Sequence, residues 1–164
     1  MNQSTYEMLA YQGSLTAYFK NVMGVSPTLS CLKQGYAFPT SKERELLDIP
    51  ARQYALIREI KMGKGDENWL FARSVIPLET LQGTAKRITS LRHVPIGKIL
   101  FGRNGAKRSW MQVSLAYNLP DTLECLGDNM SPPLWKRQSI FRFTDKPLLV
   151  SEYFLPDCPI YEDR

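Results

Sequence analysis

The alternation of apolar and polar residues predicts two short helices at the start of the chain and mostly strands afterwards. Ser4-Thr5-Tyr6-Glu7 has the Ser-x-x-Glu form of a helix-capping box, and a second start lies at Ser14, before Leu15-Thr16-Ala17-Tyr18-Phe19. Gly13 separates the two, so the segment reads as two short helices or one broken helix. From Pro27 the pattern becomes extended through Thr28-Leu29-Ser30-Cys31-Leu32, and a connection rich in Gly, Pro and charge, expected to form a mobile flap, follows over residues 35–50. The clearest hairpin spans residues 53–77, where two strand-like segments flank Gly63-Lys64-Gly65-Asp66-Glu67-Asn68. A helical stretch is predicted over 78–91, and Pro95 opens a short helix through Ile96-Gly97-Lys98-Ile99-Leu100. Strands are predicted over 107–117, 134–143 and 148–155, the last two joined at Thr144-Asp145-Lys146-Pro147. A polar, Pro-rich insertion fills residues 118–133. The order predicts an α+β fold: a single domain over residues 1–164, with an antiparallel sheet and helices packed on one face.

Three side chains break the strand pattern. Successive strand residues face opposite ways, so Tyr54, Leu56, Arg58, Ile60 and Met62 share one face, and Arg58 sits in the apolar phase. A buried guanidinium requires an anion, supplied by the protein or by a ligand. Trp69, Phe71, Arg73 and Val75 repeat the arrangement on the partner strand. With Met62 opposite Trp69, Arg58 and Arg73 become cross-strand neighbours, and two adjacent cations point to a multiply charged guest. Emergence at the sheet margin, or pairing with Glu67, Glu79 or Glu152, is the structural alternative. Glu152 is in phase with Leu148, Val150 and Phe154, which makes it a candidate hydrogen-bond partner or acid/base group, or the counter-ion of Arg58. Leu15 and Ile96 stand at helix starts, where unsatisfied N–H groups bind carboxylates.

Charge and composition narrow the field. The 21 Lys and Arg against 16 Asp and Glu give a net charge of +5, which favours anions of any size. The basic runs Lys86-Arg87 and 103–108 raise nucleic acid as a partner. The absence of an aromatic RNA motif or helix-turn-helix argues against it, and these runs read as solvated faces. Three cysteines, Cys31, Cys125 and Cys158, form no metal-ligand spacing, and with one histidine, His93, read as a loop or helix-end residue, no metal site is expected. No apolar stretch approaches the ~20 residues of a membrane span, and the first ten residues lack the form of a secretory signal, so a soluble cytoplasmic protein is expected.

The same segments resemble the chorismate pyruvate-lyase family, which converts chorismate to 4-hydroxybenzoate and pyruvate at the entry to ubiquinone synthesis. The resemblance rests on Ser14-Leu15-Thr16, Leu56-Ile57-Arg58-Glu59-Ile60, Trp69-Leu70 with Arg73-Ser74-Val75-Ile76-Pro77, Pro95-Ile96-Gly97-Lys98-Ile99-Leu100-Phe101, Leu134-Trp135-Lys136-Arg137, and Pro147-Leu148-Leu149-Val150-Ser151-Glu152-Tyr153-Phe154-Leu155-Pro156. These pieces occur in the family's order and cover the chain from Ser14 to Tyr161, with extra residues between Val113 and Leu134. The resemblance implies a buried ligand cavity covered by flaps. It also implies a site made by Arg58, Glu152 and two helix-start positions, here Leu15 and Ile96 where Met and Leu are typical. Arg58 and Glu152 would be the catalytic pair, Arg58 with Arg73 the carboxylate receptors, and Glu152 the partner of the ring hydroxyl. No cofactor, a monomer, and chorismate and 4-hydroxybenzoate as the bound molecules are the further implications. A non-catalytic module that binds a small aromatic carboxylate is the alternative on the same fold.

Overall fold

The computed structural model describes residues 2–127 and 130–161 of the 164-residue chain. Helices α1 (Gln3–Ala10) and α2 (Leu15–Asn21) open it. The cap of α1 is Asn2 and not Ser4: its side-chain oxygen accepts the Thr5 N–H at 2.7 Å, so the helix begins ahead of the Ser-x-x-Glu sequence. Ser14 caps α2 by accepting from the Ala17 N–H at 3.4 Å. Strand β1 (Thr28–Ala37) is longer than expected, and helix α3 (Ser41–Leu47) occupies the middle of the supposed flap. A complete capping box between Thr40 and Glu43 starts that helix. Its charged sequence reads as a loop because the apolar anchors, Leu47 and Ile49, come only at its end.

The hairpin forms as predicted from β2 (Ala55–Lys64) and β3 (Glu67–Pro77). In place of a regular helix, two 3₁₀ segments follow, Leu78–Thr80 and Gly83–Ser90, and then α4 (Gly97–Leu100). Strand β4 (Lys107–Ala116) leads into the polar insertion, which contains helix α5 (Asp121–Glu124); its Asp128 and Asn129 lie outside the described residues. Strands β5 (Leu134–Phe143) and β6 (Lys146–Phe154) complete the sheet.

The six strands are antiparallel in the order β1-β2-β3-β6-β5-β4. Helices α1, α2 and α4 cover the face that carries Leu56, Arg58, Ile60 and Met62. Helices α3 and α5 cover the other face, packing on Ile57 and Val75 at one end and on Phe71 and Tyr153 at the other. The α+β class and the antiparallel sheet read from the sequence are therefore the observed ones, but the expectation of helices on one face is corrected: the two connections expected to be irregular supply a second layer on the other. Phe19 of α2 is fully buried with its ring 5.2 Å from Trp69 of β3. Burial of one such side chain contributes about 1.5–3 kcal/mol.

Register decides which side chains share a face, and one bulge reverses the expected pairing. At the hairpin end Gly63 lies opposite Asn68, but beyond a shift between Met62 and Gly63 the partner of Met62 is Leu70, not Trp69. Arg58 is thereby opposite Ser74, and Arg73 is opposite Glu59 on the other face. Only glycine fits at the shift: a Cβ on Gly63 would lie 1.9 Å from the Glu67 carbonyl oxygen.

Gly63→Ala is expected to cost about 1–3 kcal/mol of stability by forcing these two backbones apart. Gly35→Ala on edge strand β1, where an added Cβ meets nothing within 4 Å, should change stability by no more than about 0.5 kcal/mol. Thermal unfolding of the two variants tests this, and equal losses would contradict it.

Candidate functional site

On the α1, α2 and α4 face the sheet and helices enclose about 580 Å³ of space free of atoms, part of it continuous with solvent. Its floor is the middle of the sheet: Ile60 and Met62 of β2, Leu70, Ala72 and Ser74 of β3, Val150 of β6 and Phe141 of β5. Its walls include Gly13 to Thr16 at the start of α2 and Pro95 to Gly97 at the start of α4. Leu15 and Ile96 both line the space, as the sequence suggested. The two helix starts are in near contact, since a Cβ on Gly97 would lie 3.1 Å from the Ser14 hydroxyl oxygen. Glycine there lets the two N-terminal ends approach each other.

Arg58 projects from β2 into this space and is 1% exposed. Its Nη2 donates to the carbonyl oxygens of Arg92 at 2.9 Å and Val94 at 2.8 Å. These belong to the loop before α4, where Arg92 takes a positive φ of 53°. The loop is tied to edge strand β1 by His93, whose Nδ1 accepts the Cys31 N–H at 3.1 Å. His93 is thus a loop residue, as read from sequence, with a positioning part. Among the described residues no carboxylate pairs with Arg58, and its Nε is the one buried side-chain nitrogen or oxygen without a hydrogen-bond partner. Burial pulls the Arg58 pKa down from the ordinary arginine value, with Cys31 acting the other way. A guanidinium that lines a cavity, is held by two neutral carbonyls and keeps an unpartnered Nε–H is suited to receive an anion.

Glu152 of β6 also lines the cavity, but its partner is not Arg58. Its two oxygens accept from Arg137 of β5, Oε2 from Nε at 2.6 Å and Oε1 from Nη2 at 3.2 Å. Arg137 is 1% exposed and its remaining Nη1 donates to the Tyr11 carbonyl at 2.6 Å. The pair sits directly across the β5–β6 ladder. This is the fork geometry in which two parallel bonds fix a carboxylate in place. Arg137 lies in the quoted Leu-Trp-Lys-Arg segment yet has no part in the sequence-predicted site. Its alternation with Trp135, Ser139 and Phe141 was the available signal.

A third cation was also missed. Arg108 of β4 lines the cavity, its Nε donating to the Ser139 hydroxyl at 3.2 Å and its Nη1 to the main-chain and side-chain oxygens of Gln12. Its guanidinium carbon stands 4.7 Å from the Phe141 ring centroid and 6.0 Å from that of Phe101. A register shift between Arg108 and Trp110 places it opposite Phe141, on the cavity face. Strict alternation would have sent it to the other face with Trp110. Of the basic run 103–108, Arg103 is exposed, but Arg108 is a cavity residue and no part of a solvated face.

Arg73 does not join this group. It lies on the opposite face, where its Nε and Nη2 donate to Glu43 of α3 at 2.8 and 2.9 Å, and its Nη1 is 3.6 Å from Glu59. Burial alone would raise the Glu43 carboxyl, but the hydrogen bonds and charge of Arg73 outweigh it and hold that carboxyl below its ordinary value. Burial and the nearby Glu43 push the Tyr153 phenol up to about 12. These groups satisfy one another and have no share in the cavity. The expectation that Arg58 and Arg73 form a cross-strand cation pair is corrected by the Gly63 bulge.

The charged lining of the cavity is therefore Arg58, Arg108, Arg137 and Glu152. The Arg137–Glu152 pair is neutral as a unit, which leaves two cations without a carboxylate partner among the described residues. A largely apolar cavity with that excess suits a small molecule with two negative charges. Among the described residues there is no cluster of His, Cys, Asp or Glu suited to a metal ion, and no helix is long and apolar enough to cross a membrane.

Comparison with known proteins accords with this geometry. A probable chorismate pyruvate-lyase of Methylococcus capsulatus is 33% identical over 146 residues, which cover 88% of this chain and 90% of that protein. A chorismate pyruvate-lyase of Hamiltonella defensa is 37% identical, and the match covers 74% of this chain and 59% of that protein; for the Yersinia enterocolitica enzyme the values are 35%, 73% and 61%. Among solved structures the fold is like that of the ligand-binding domain of a putative GntR-family transcriptional regulator from Bordetella bronchiseptica, with a TM-score of 0.60 at 13% identity over 82% of this chain and 87% of that one. PhnF from Mycobacterium smegmatis gives 0.62 at 15% identity, covering 90% and 66%. These distant likenesses extend to the fold alone. The family described as Chorismate lyase matches residues 1–164, and the chain belongs to that family.

Proposed function

We propose that the protein is a cofactor-independent lyase that converts chorismate to 4-hydroxybenzoate and pyruvate, the first step of ubiquinone biosynthesis, and that it acts in the cytoplasm as a monomer. The observation that carries the reading is Arg58: a buried guanidinium with a bare Nε and no carboxylate partner among the described residues, lining the cavity. Chorismate is a dianion, and the cavity has two cations, Arg58 and Arg108, without a carboxylate partner among the described residues. Arg58 receives one carboxylate, and the N–H groups at the starts of α2 and α4, beside Leu15 and Ile96, add donors. Glu152, its oxygens fixed by Arg137, keeps lone pairs free to accept the ring hydroxyl that the product retains.

The reaction breaks the bond between the ring carbon and the ether oxygen of the enolpyruvyl group. The ring carbon that bears the hydroxyl loses its hydrogen, the ring becomes aromatic, and a proton completes the methyl group of pyruvate. Aromatisation supplies the driving force within the substrate. The residues' part is to hold the ring in one orientation, exclude water and offset the negative charge that grows on the departing oxygen. A binding module with the same cavity would take up the aromatic acid and release no pyruvate.

Incubation of the protein with chorismate, without added metal or nucleotide, should release equimolar 4-hydroxybenzoate and pyruvate. Binding without release would favour the binding module. Arg58→Ala should lower kcat/KM by about a hundredfold or more while the protein stays folded, and wild-type kinetics would remove Arg58 from the site. Glu152→Ala should behave differently, because it leaves Arg137 buried and unpaired. It is expected to cost about 3–5 kcal/mol as well as activity, and Arg137→Met combined with Glu152→Leu should restore much of the lost melting temperature. If the double variant is no more stable than Glu152→Ala, the pair is not the buried unit described.

A further inference from the structure

We propose that Arg108 receives the carboxylate of the enolpyruvyl group, the one that departs with pyruvate, while Arg58 receives the ring carboxylate that stays with the product. The assignment rests on the lyase reading and adds a specificity-determining residue to it. Arg108 is half-buried, and every polar partner it has is neutral: the Ser139 hydroxyl and two oxygens of Gln12. Two aromatic rings flank the guanidinium, which narrows its approach to the cavity side. Its strand is bulged where it meets Phe141, and the bulge is what brings this cation to the cavity face. A cation with only neutral partners there is stabilised by an anion bound beside it.

Which carboxylate goes to which arginine follows from Glu152. Arg108 donates to Ser139, on β5 two residues from Arg137 and on the same face, so its guanidinium lies on the Glu152 side of the cavity. Arg58 is held instead by the loop carbonyls of Arg92 and Val94, on the far side of β3. With Glu152 on the ring hydroxyl, the enolpyruvyl ether is on the neighbouring ring carbon and the ring carboxylate is diametrically opposite. The leaving carboxylate therefore falls toward Arg108 and the retained one toward Arg58. Burial and the Arg137 charge lower the Arg108 pKa, with Glu152 acting the other way, in keeping with its place beside that pair.

The test compares a ligand that carries both carboxylates with one that has only the ring carboxylate. Affinities for chorismate and for 4-hydroxybenzoate are measured by calorimetry, at short times for chorismate, together with kcat/KM, in wild type, Arg108→Met and Arg108→Lys; melting curves establish that each variant is folded. Arg108→Met should weaken chorismate binding and kcat/KM by about tenfold to a hundredfold and leave 4-hydroxybenzoate affinity within about twofold, with Arg108→Lys in between. Equal losses for both ligands would overturn the proposal, because Arg108 would then serve to hold Gln12 and the α1–α2 loop or to share the ring carboxylate. No loss for either would overturn it as well. A wild-type protein that releases no pyruvate defeats the lyase reading separately, while the ratio of the two affinities still decides the place of Arg108.

Discussion

The structure depends on one unpaired charge. Taking an ionised group out of water is costly unless it is paired and hydrogen-bonded, and Arg58 is buried with hydrogen bonds to two carbonyls and none to a carboxylate. The surroundings are arranged to tolerate it in place: a loop held by His93 presents the Arg92 and Val94 carbonyls, and the starts of α2 and α4 close over the guanidinium through the near contact of Ser14 and Gly97. A structural arginine in that position would have been given an acid. The acids of this sheet are nearby but committed elsewhere, Glu152 to Arg137 and Glu59 and Glu43 to Arg73.

The two faces of the sheet show opposite electrostatic economies. On the α3 and α5 face, Arg73 has two carboxylates within 4 Å, and Thr122 of α5 donates to Glu59 at 3.0 Å, so the polar groups close on themselves. On the cavity face the cations outnumber the acid, and the difference fits the charge of the proposed substrate. What separates the faces is register. The shift at Gly63 sends Arg73 away from Arg58, and the shift after Arg108 brings that arginine in. Two local irregularities in the ladders thus set the charge of the cavity.

Much of this was legible in the sequence. The hairpin, the three C-terminal strands, the Ser14 cap and the Pro95 turn are local features, and Arg58 and Glu152 stood out because a charge in the apolar phase of a strand is visible without any tertiary information. Leu15 and Ile96 were placed by the chemistry of helix starts. Arg73 and Arg108 were misread for one physical reason, since a one-residue bulge inverts the phase of everything beyond it and leaves only a glycine or a short polar residue as its trace. Arg137 was hidden differently: its role is to hold Glu152, and a cross-strand pair between β5 and β6 requires their register. Helix α3 escaped notice because its burial depends on the sheet beneath it, and its own charges suit a solvent-exposed connection.

The most direct test of the central claim is a crystal structure of the protein with 4-hydroxybenzoate bound. The account predicts a carboxylate oxygen about 2.7–2.9 Å from Arg58 Nε, the buried nitrogen without a hydrogen-bond partner, and the phenol oxygen on Glu152. A ligand bound in this cavity with its carboxylate elsewhere and the Arg58 Nε still bare would contradict it.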